Sequence, residues 1–185
     1  MKKKVIYSII IVSVIIILSV AVTYAVYTFS GVVNISGTSE CFEVNYVKGQ
    51  DIGSDSNPAN FALASTYTQG LSSVIKVNLK DTCTITNGTG TLYLNTDTSV
   101  TSSTILSGKV LKYQVLDGTT PVGSGIVSSA ESIEIYKDIP ITTTVKTITV
   151  YIWLDGNLVT EQNQNEILSS VYKGHISMDI KSGDK

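Results

Sequence analysis

Arginine is absent from this 185-residue chain, and histidine and tryptophan occur once each, as His175 and Trp153. There are two cysteines, Cys41 and Cys83, and three prolines. Between Lys4 and Glu40 no residue carries a charge. Each shortage excludes a class of function. Arg is the favoured residue for bidentate contacts to phosphates and base edges. Setting aside Lys2, Lys3 and Lys4, 10 of the 13 lysines stand against 15 acids. A mildly acidic domain without Arg is a poor binder of nucleic acid. A zinc peptidase of the H-E-x-x-H type needs two imidazoles on one helix face, and only His175 exists. Flanked by Gly174 and Ile176, it reads as a surface or edge-strand histidine. Serine nucleophiles need a base oriented by a third group, and His175 is again the sole imidazole. There is no G-x-S-x-G; Gly123-Ser124-Gly125 reads as a flexible turn. The expectation is no catalytic residue, no metal site and no cofactor.

What is abundant comes first in the chain. Val5 to Phe29 is almost wholly apolar and follows three lysines. About 20 such residues span a bilayer core as a helix. Two readings stay open. One is an uncleaved anchor, favoured because a signal peptide has an apolar core of about 7–15 residues. The other is a secretory signal peptide cleaved between Ala25 and Val26, after Thr23-Tyr24-Ala25. Both leave the lysines in the cytoplasm and place everything after Ser30 outside. The expected division is residues 1–30, a lysine tail and helix, and residues 31–185, one extracellular domain.

The remaining residues favour strands, being rich in Thr, Ser, Val, Ile and Tyr. Phe42, Val44 and Tyr46 alternate with Glu43 and Asn45; Ile75, Val77 and Leu79 alternate with Lys76 and Asn78. The second of these strands is expected to continue through a bend at Asp81 to Cys83 and Ile85. Residues 49–60 read as a loop, and residues 61–68 are ambiguous, with a short helical turn possible. Asn87 to Gly90 predicts a turn into a hairpin strand at Thr91–Asn95. Further strands are predicted at Val110–Leu116, closed by Asp117-Gly118, and at Ile133–Tyr136. Thr147–Leu154 (TITVYIWL) is apolar enough to be central in a sheet. Tyr172–Ile180 is the last. Short strands broken by turns indicate an all-β, antiparallel β-sandwich.

Cys41 and Cys83 both fall in the exported part, where a pair of cysteines forms a disulfide. Asp51, Asp55 and Asn57 lie in one loop but lack the distal Glu of a calcium loop, and read as an Asx-turn segment. Trp153 reads as a core residue. Tyr67, Tyr93, Tyr113, Tyr136 and Tyr151 are scattered; placed on one exposed sheet face, they would bind glycans or proteins.

The lysine-rich apolar segment ends in Thr23-Tyr24-Ala25-Val26-Tyr27, and a Gly/Ser/Thr stretch follows. Then come Cys41-Phe42, Lys80-Asp81-Thr82-Cys83, Tyr151-Ile152-Trp153-Leu154-Asp155-Gly156-Asn157 and Tyr172-Lys173-Gly174-His175-Ile176. In this order the chain resembles the TasA/camelysin-like exported β-sandwich proteins of Gram-positive bacteria. The resemblance implies a jelly-roll-like sandwich and a place in the cell envelope or extracellular matrix. It also implies assembly by donation of an N-terminal strand, here Val26–Ser36, once that strand is released from the membrane. The expected partners are therefore the membrane, through the N-terminal helix, and other copies or surface proteins. The alternative expectation is a surface-displayed module binding glycan or protein.

Overall fold

A strand turns successive side chains to opposite faces, so an alternating sequence can cover a core on one side and meet water on the other. This chain uses that rule to build two sheets. The computed structural model describes residues 33–36, 41–48, 51–52, 61, 63–99, 106, 109–127, 131–168 and 170–183. The strands are β1 (Val33–Ser36), β2 (Phe42–Lys48), β3 (Asp51–Ile52), β4 (Leu63–Ala64), β5 (Leu71–Leu79) and β6 (Gly88–Thr96). They continue as β7 (Leu111–Asp117), β8 (Thr120–Ile126), β9 (Ser132–Ile141), β10 (Lys146–Asp155) and β11 (Gly174–Ser182). A short helix, α1 (Gln164–Leu168), lies between β10 and β11.

The first sheet has the order β1-β11-β6-β9, with β3 also against β11. The second has the order β2-β5-β10-β7-β8, with β4 also against β10. Pairing is antiparallel except for the short contacts β1–β11 and β4–β10. From the first sheet, Leu92, Leu94, Ile176, Met178 and Ile180 are buried; from the second, Ile75, Val77, Leu79, Ile148, Val150 and Ile152. These side chains form one apolar cluster between the layers. Each buried aliphatic side chain contributes about 1.5–3 kcal/mol of transfer free energy.

Several strand expectations hold. Thr147–Leu154 lies inside β10, paired on both sides by β5 and β7. Phe42, Ile75, Val77 and Leu79 are buried as their alternation requires. The ambiguous stretch at 61–68 contains part of a 3-10 turn, Tyr67–Gln69. Asp51–Ile52, inside the expected loop, forms the two-residue β3.

Other expectations are corrected. Asn87–Gly90 does not make a hairpin: β5 pairs with β2 and β10, whereas β6 pairs with β9 and β11. The chain there crosses from one sheet to the other. The second strand ends at Leu79 rather than bending on through Asp81. Gly123-Ser124-Gly125 is not a turn but the middle of β8. The real turn lies just before it, where Asp117 faces Thr120 across the two-residue loop Gly118-Thr119. Gly118 has φ 59°, the left-handed conformation that a two-residue hairpin demands at its first loop position. The strand at Ile133–Tyr136 is longer than expected, running from Ser132 to Ile141.

The apolar segment Val5–Phe29 and the bond between Ala25 and Val26 lie outside the described residues. Among the described residues no helix is long and apolar enough to cross a membrane.

Candidate functional site

Cys41 and Cys83 are joined in a disulfide, with Cα atoms 5.5 Å apart. Cys41 stands immediately before β2, and Cys83 lies just beyond the end of β5. Phe42 faces Leu79 in that ladder, and the Lys80 N–H donates to the Cys41 carbonyl at 2.9 Å. The bridge therefore closes the end of the β2–β5 pair. The end of β1, Ser36, is five positions before Cys41 in sequence.

β1 is the described part of the expected donor segment; residues 26–32 lie outside the described residues. It runs parallel to β11, with Val33 facing Met178, Asn34 facing Asp179, Ile35 facing Ile180 and Ser36 facing Lys181. The other half of that edge is taken by β3, where Ile52 faces Gly174 and Asp51 faces His175. The last strand of the protein is thus covered along its outer edge by two short pieces from the N-terminal part of the chain.

The interior below this edge is imperfectly satisfied. Tyr46 reaches from β2, in the second sheet, toward β11 in the first. Burial pushes its phenol up to about 12, and the nearby Asp179 carboxylate acts in the same direction. The Met178 backbone N–H lies beside the hydroxyl and pulls the other way, more than Asp179 pushes, but no partner meets hydrogen-bond geometry. Asp179 Oδ1 is likewise buried without a partner. Unsatisfied buried polar atoms cost about 1–3 kcal/mol each.

The opposite side of the sandwich differs. Tyr136, on β9 of the first sheet, donates its hydroxyl to Asp117 Oδ2 of β7 at 3.0 Å. Lys146 donates to the same oxygen at 2.6 Å. Burial and the Asp117 carboxylate hold the Tyr136 phenol up at about 12.

His175 sits on β11, opposite Asn95 of β6, half-buried among Asn95 and Ser177. Among the described residues no group of three or more His, Cys, Asp or Glu side chains is placed to hold a metal ion. Of the acidic loop, Asp51 is in β3, whereas Asp55 and Asn57 lie outside the described residues.

The scattered tyrosines separate by sheet. Tyr93 is half-buried on the first sheet, facing Ser177 and Glu134. Tyr113 and Tyr136 pack against the core. Tyr151 and Trp153 lie two apart on β10, on the face opposite buried Ile152 and Leu154. The 3-10 turn Tyr67–Gln69 crosses this outer face. The Tyr67 ring meets Tyr151 edge-on at 5.1 Å and Trp153 at 6.4 Å. Gly70 carries the turn so close to β10 that a Cβ there would lie 2.7 Å from Trp153 Cβ. Trp153 is buried, 9% exposed, but beneath this turn rather than within the central cluster. Its Nε1 has no acceptor. Beside it, Asp155 accepts from Lys112 Nζ at 2.6 Å and from the Asn157 side chain at 2.9 Å. The Lys112 ammonium is the chief reason the Asp155 carboxyl is held below the usual range.

Sequence reasoning found the disulfide pair but missed the Tyr67–Tyr151–Trp153 cluster. The spacing of Tyr151 and Trp153 was the available signal: residues two apart on a strand share a face. What hid it was that Ile152 and Leu154 are as apolar as they are, so the strand shows no polar face.

Comparison of the chain with family models, curated proteins and solved structures gives no match.

Proposed function

We propose that this protein is a non-catalytic structural component of the cell surface or extracellular matrix. Its apolar N-terminal segment either tethers it to the membrane or is removed after Ala25. The domain is a jelly-roll-like sandwich that assembles by passing its N-terminal strand to a neighbour, as the resemblance to TasA/camelysin-like proteins implies. The observation that carries this reading is the β1–β11 seam. A four-residue parallel strand at a sheet edge makes few ladder hydrogen bonds, and parallel pairing is slightly weaker per residue than antiparallel. Such a strand is replaceable by its equivalent from a second copy. The same exchange is a low-cost route to assembly when an identical element changes protomers.

The export half of the reading is tested by the intact mass of natively expressed protein from membrane and culture fractions. A full-length mass confined to the membrane fits a tethered surface protein and rules out long strand-exchanged fibres. A mass beginning at Val26 in the medium or matrix fits a released, assembling protein. Full-length protein found soluble inside the cell would overturn the proposal.

A further inference from the structure

We infer that the outer face of the second sheet, around Tyr151 and the turn that carries Tyr67, is a binding site for an uncharged saccharide. The site is separate from the β1–β11 seam and does not depend on strand exchange.

Three features point to this chemistry. First, Tyr67 and Tyr151 are half-exposed rings held edge-on to each other, and the apolar face of a pyranose stacks on such rings. Trp153 forms the floor beneath Tyr67. Second, hydrogen-bonding side chains flank the rings. Tyr151 faces Ser72 on β5 and, on β7, Gln114, whose Nε2 donates to the Gly123 carbonyl at 2.9 Å, and Thr68 stands exposed on the turn above. Binding sites pair an apolar surface with a few polar groups in this way. Third, Trp153 Nε1 is a buried donor with no acceptor. An indole N–H in such a position normally finds a partner. A sugar hydroxyl supplies one when Tyr67 shifts aside; an aliphatic ligand does not.

The same surface disfavours an anion. Lys112, the cation next to Trp153 across the ladder, is engaged by Asp155 at 2.6 Å. The exported part carries more acids than lysines and no Arg. A phosphate-rich wall polymer would find the cation nearest Trp153 already neutralised by Asp155, whereas a neutral polysaccharide needs none.

The turn is anchored to β10 at both ends, by Ala64 opposite Asp155 and Leu71 opposite Ile152, so access to Trp153 is a movement of the Tyr67 side chain. None of its residues is buried. It is held to the sheet by the Tyr67 ring and the close approach of Gly70, and its other hydrogen bonds are internal, such as Ser65 N–H to Gln69 Oε1 at 3.0 Å.

Because Trp153 is the only tryptophan, the emission of the oxidised full-length chain in mild detergent reports on this site alone. Titration with cellotetraose and with chitotetraose is expected to give a saturable change in that emission with at least one of them. Tyr151→Ala and, on the exposed turn, Thr68→Lys should each weaken binding about tenfold or more, roughly 1.4 kcal/mol. Tyr93→Ala, on the other sheet, should leave it unchanged, and near-native circular dichroism shows that each variant has folded. Absence of a saturable change with both sugars, confirmed by affinity electrophoresis, would overturn the inference. So would binding that survives both variants, or binding shown only by an anionic polymer or a peptide.

Discussion

The two lateral sides of the sandwich are finished differently. On the β8–β9 side each edge strand contains a proline, Pro121 and Pro140. The β7–β8 ladder shifts register between Val115 and Leu116, and the β6–β9 ladder shifts around Leu92. Asp138 sits at φ 53° in the edge strand. Prolines and irregular register are the devices by which edge strands resist pairing with another chain. Tyr136, Asp117 and Lys146 tie the two layers together there. On the other side, the edge of β11 is covered by β1 and β3, and the cross-layer tyrosine, Tyr46, has no partner. One side is closed by its own sequence. The other is closed by a short strand, with unsatisfied buried polar atoms on Tyr46 and on Asp179 of the strand it pairs with, which is where the proposed exchange would start.

Alkali should break both sides at once and give the largest effect. Tyr46, Tyr136 and Tyr172 are each pushed up to about 12, against about 10 in the unfolded chain. A raised folded pKa means that the folded state holds its proton more tightly, so stability is full below about pH 10 and falls as pH rises toward about 12. A urea midpoint that stays level between those values would contradict this. Replacing Cys41 and Cys83 by Ser removes the anchor of the β1 side. With a sequence separation of 42 residues, the loss is about 4 kcal/mol on the chain-entropy model, read as a lower melting temperature for the oxidised protein. An unchanged midpoint would show that the bridge is not stabilising.

A paired substitution sharpens the contrast between the sides. Tyr136→Phe removes a hydrogen bond to a carboxylate and should cost about 1–2 kcal/mol. Tyr46→Phe removes a hydroxyl that has no partner and should be neutral or stabilising. Equal losses in chemical denaturation would erase the distinction. The smallest effect is expected at low pH. Hydrogen bonds from Lys173 and Ser99 hold the Asp97 carboxyl down at about 2, so its contribution is present above about pH 4 and lost as pH falls toward 2. This pair is solvent-accessible, 21% and 27% exposed, and screening keeps its worth small. Thermal melts of wild type and Asp97→Asn should converge as pH falls from about 4 to about 2.

Much of the sheet framework was legible because alternation is a local property. Ile75, Val77 and Leu79 announce a half-buried strand without reference to the rest of the chain. Pairing partners are not local. Nothing in Asn87–Gly90 says that the chain has changed sheets before β6 begins. β8 is hidden because an edge strand needs little apolar surface: its middle, Gly123-Ser124-Gly125, reads as a flexible turn. Yet Gly123 lets the strand pass against the Ile135 carbonyl of β9. Trp153 is buried as expected of a core residue, but under the Tyr67 turn, since composition cannot distinguish a central core from a roofed outer face. The orphaned hydroxyl of Tyr46 depends on which strand lies across from β2, and no local pattern carries that.

The central claim is that the β1 side opens to a second copy. Ser36 and Lys181 are register partners in the β1–β11 ladder, and neighbouring strands lie about 4.7–4.9 Å apart, within the Cα range that a disulfide spans. Ser36→Cys and Lys181→Cys, introduced together into the natively expressed chain, should oxidise to covalent dimers and higher multimers as strands pass between copies. Each single variant should fail to form the ladder. Quantitative closure within single chains in every fraction, with no interchain product, would show that β1 stays with its own sheet and would contradict assembly by strand exchange.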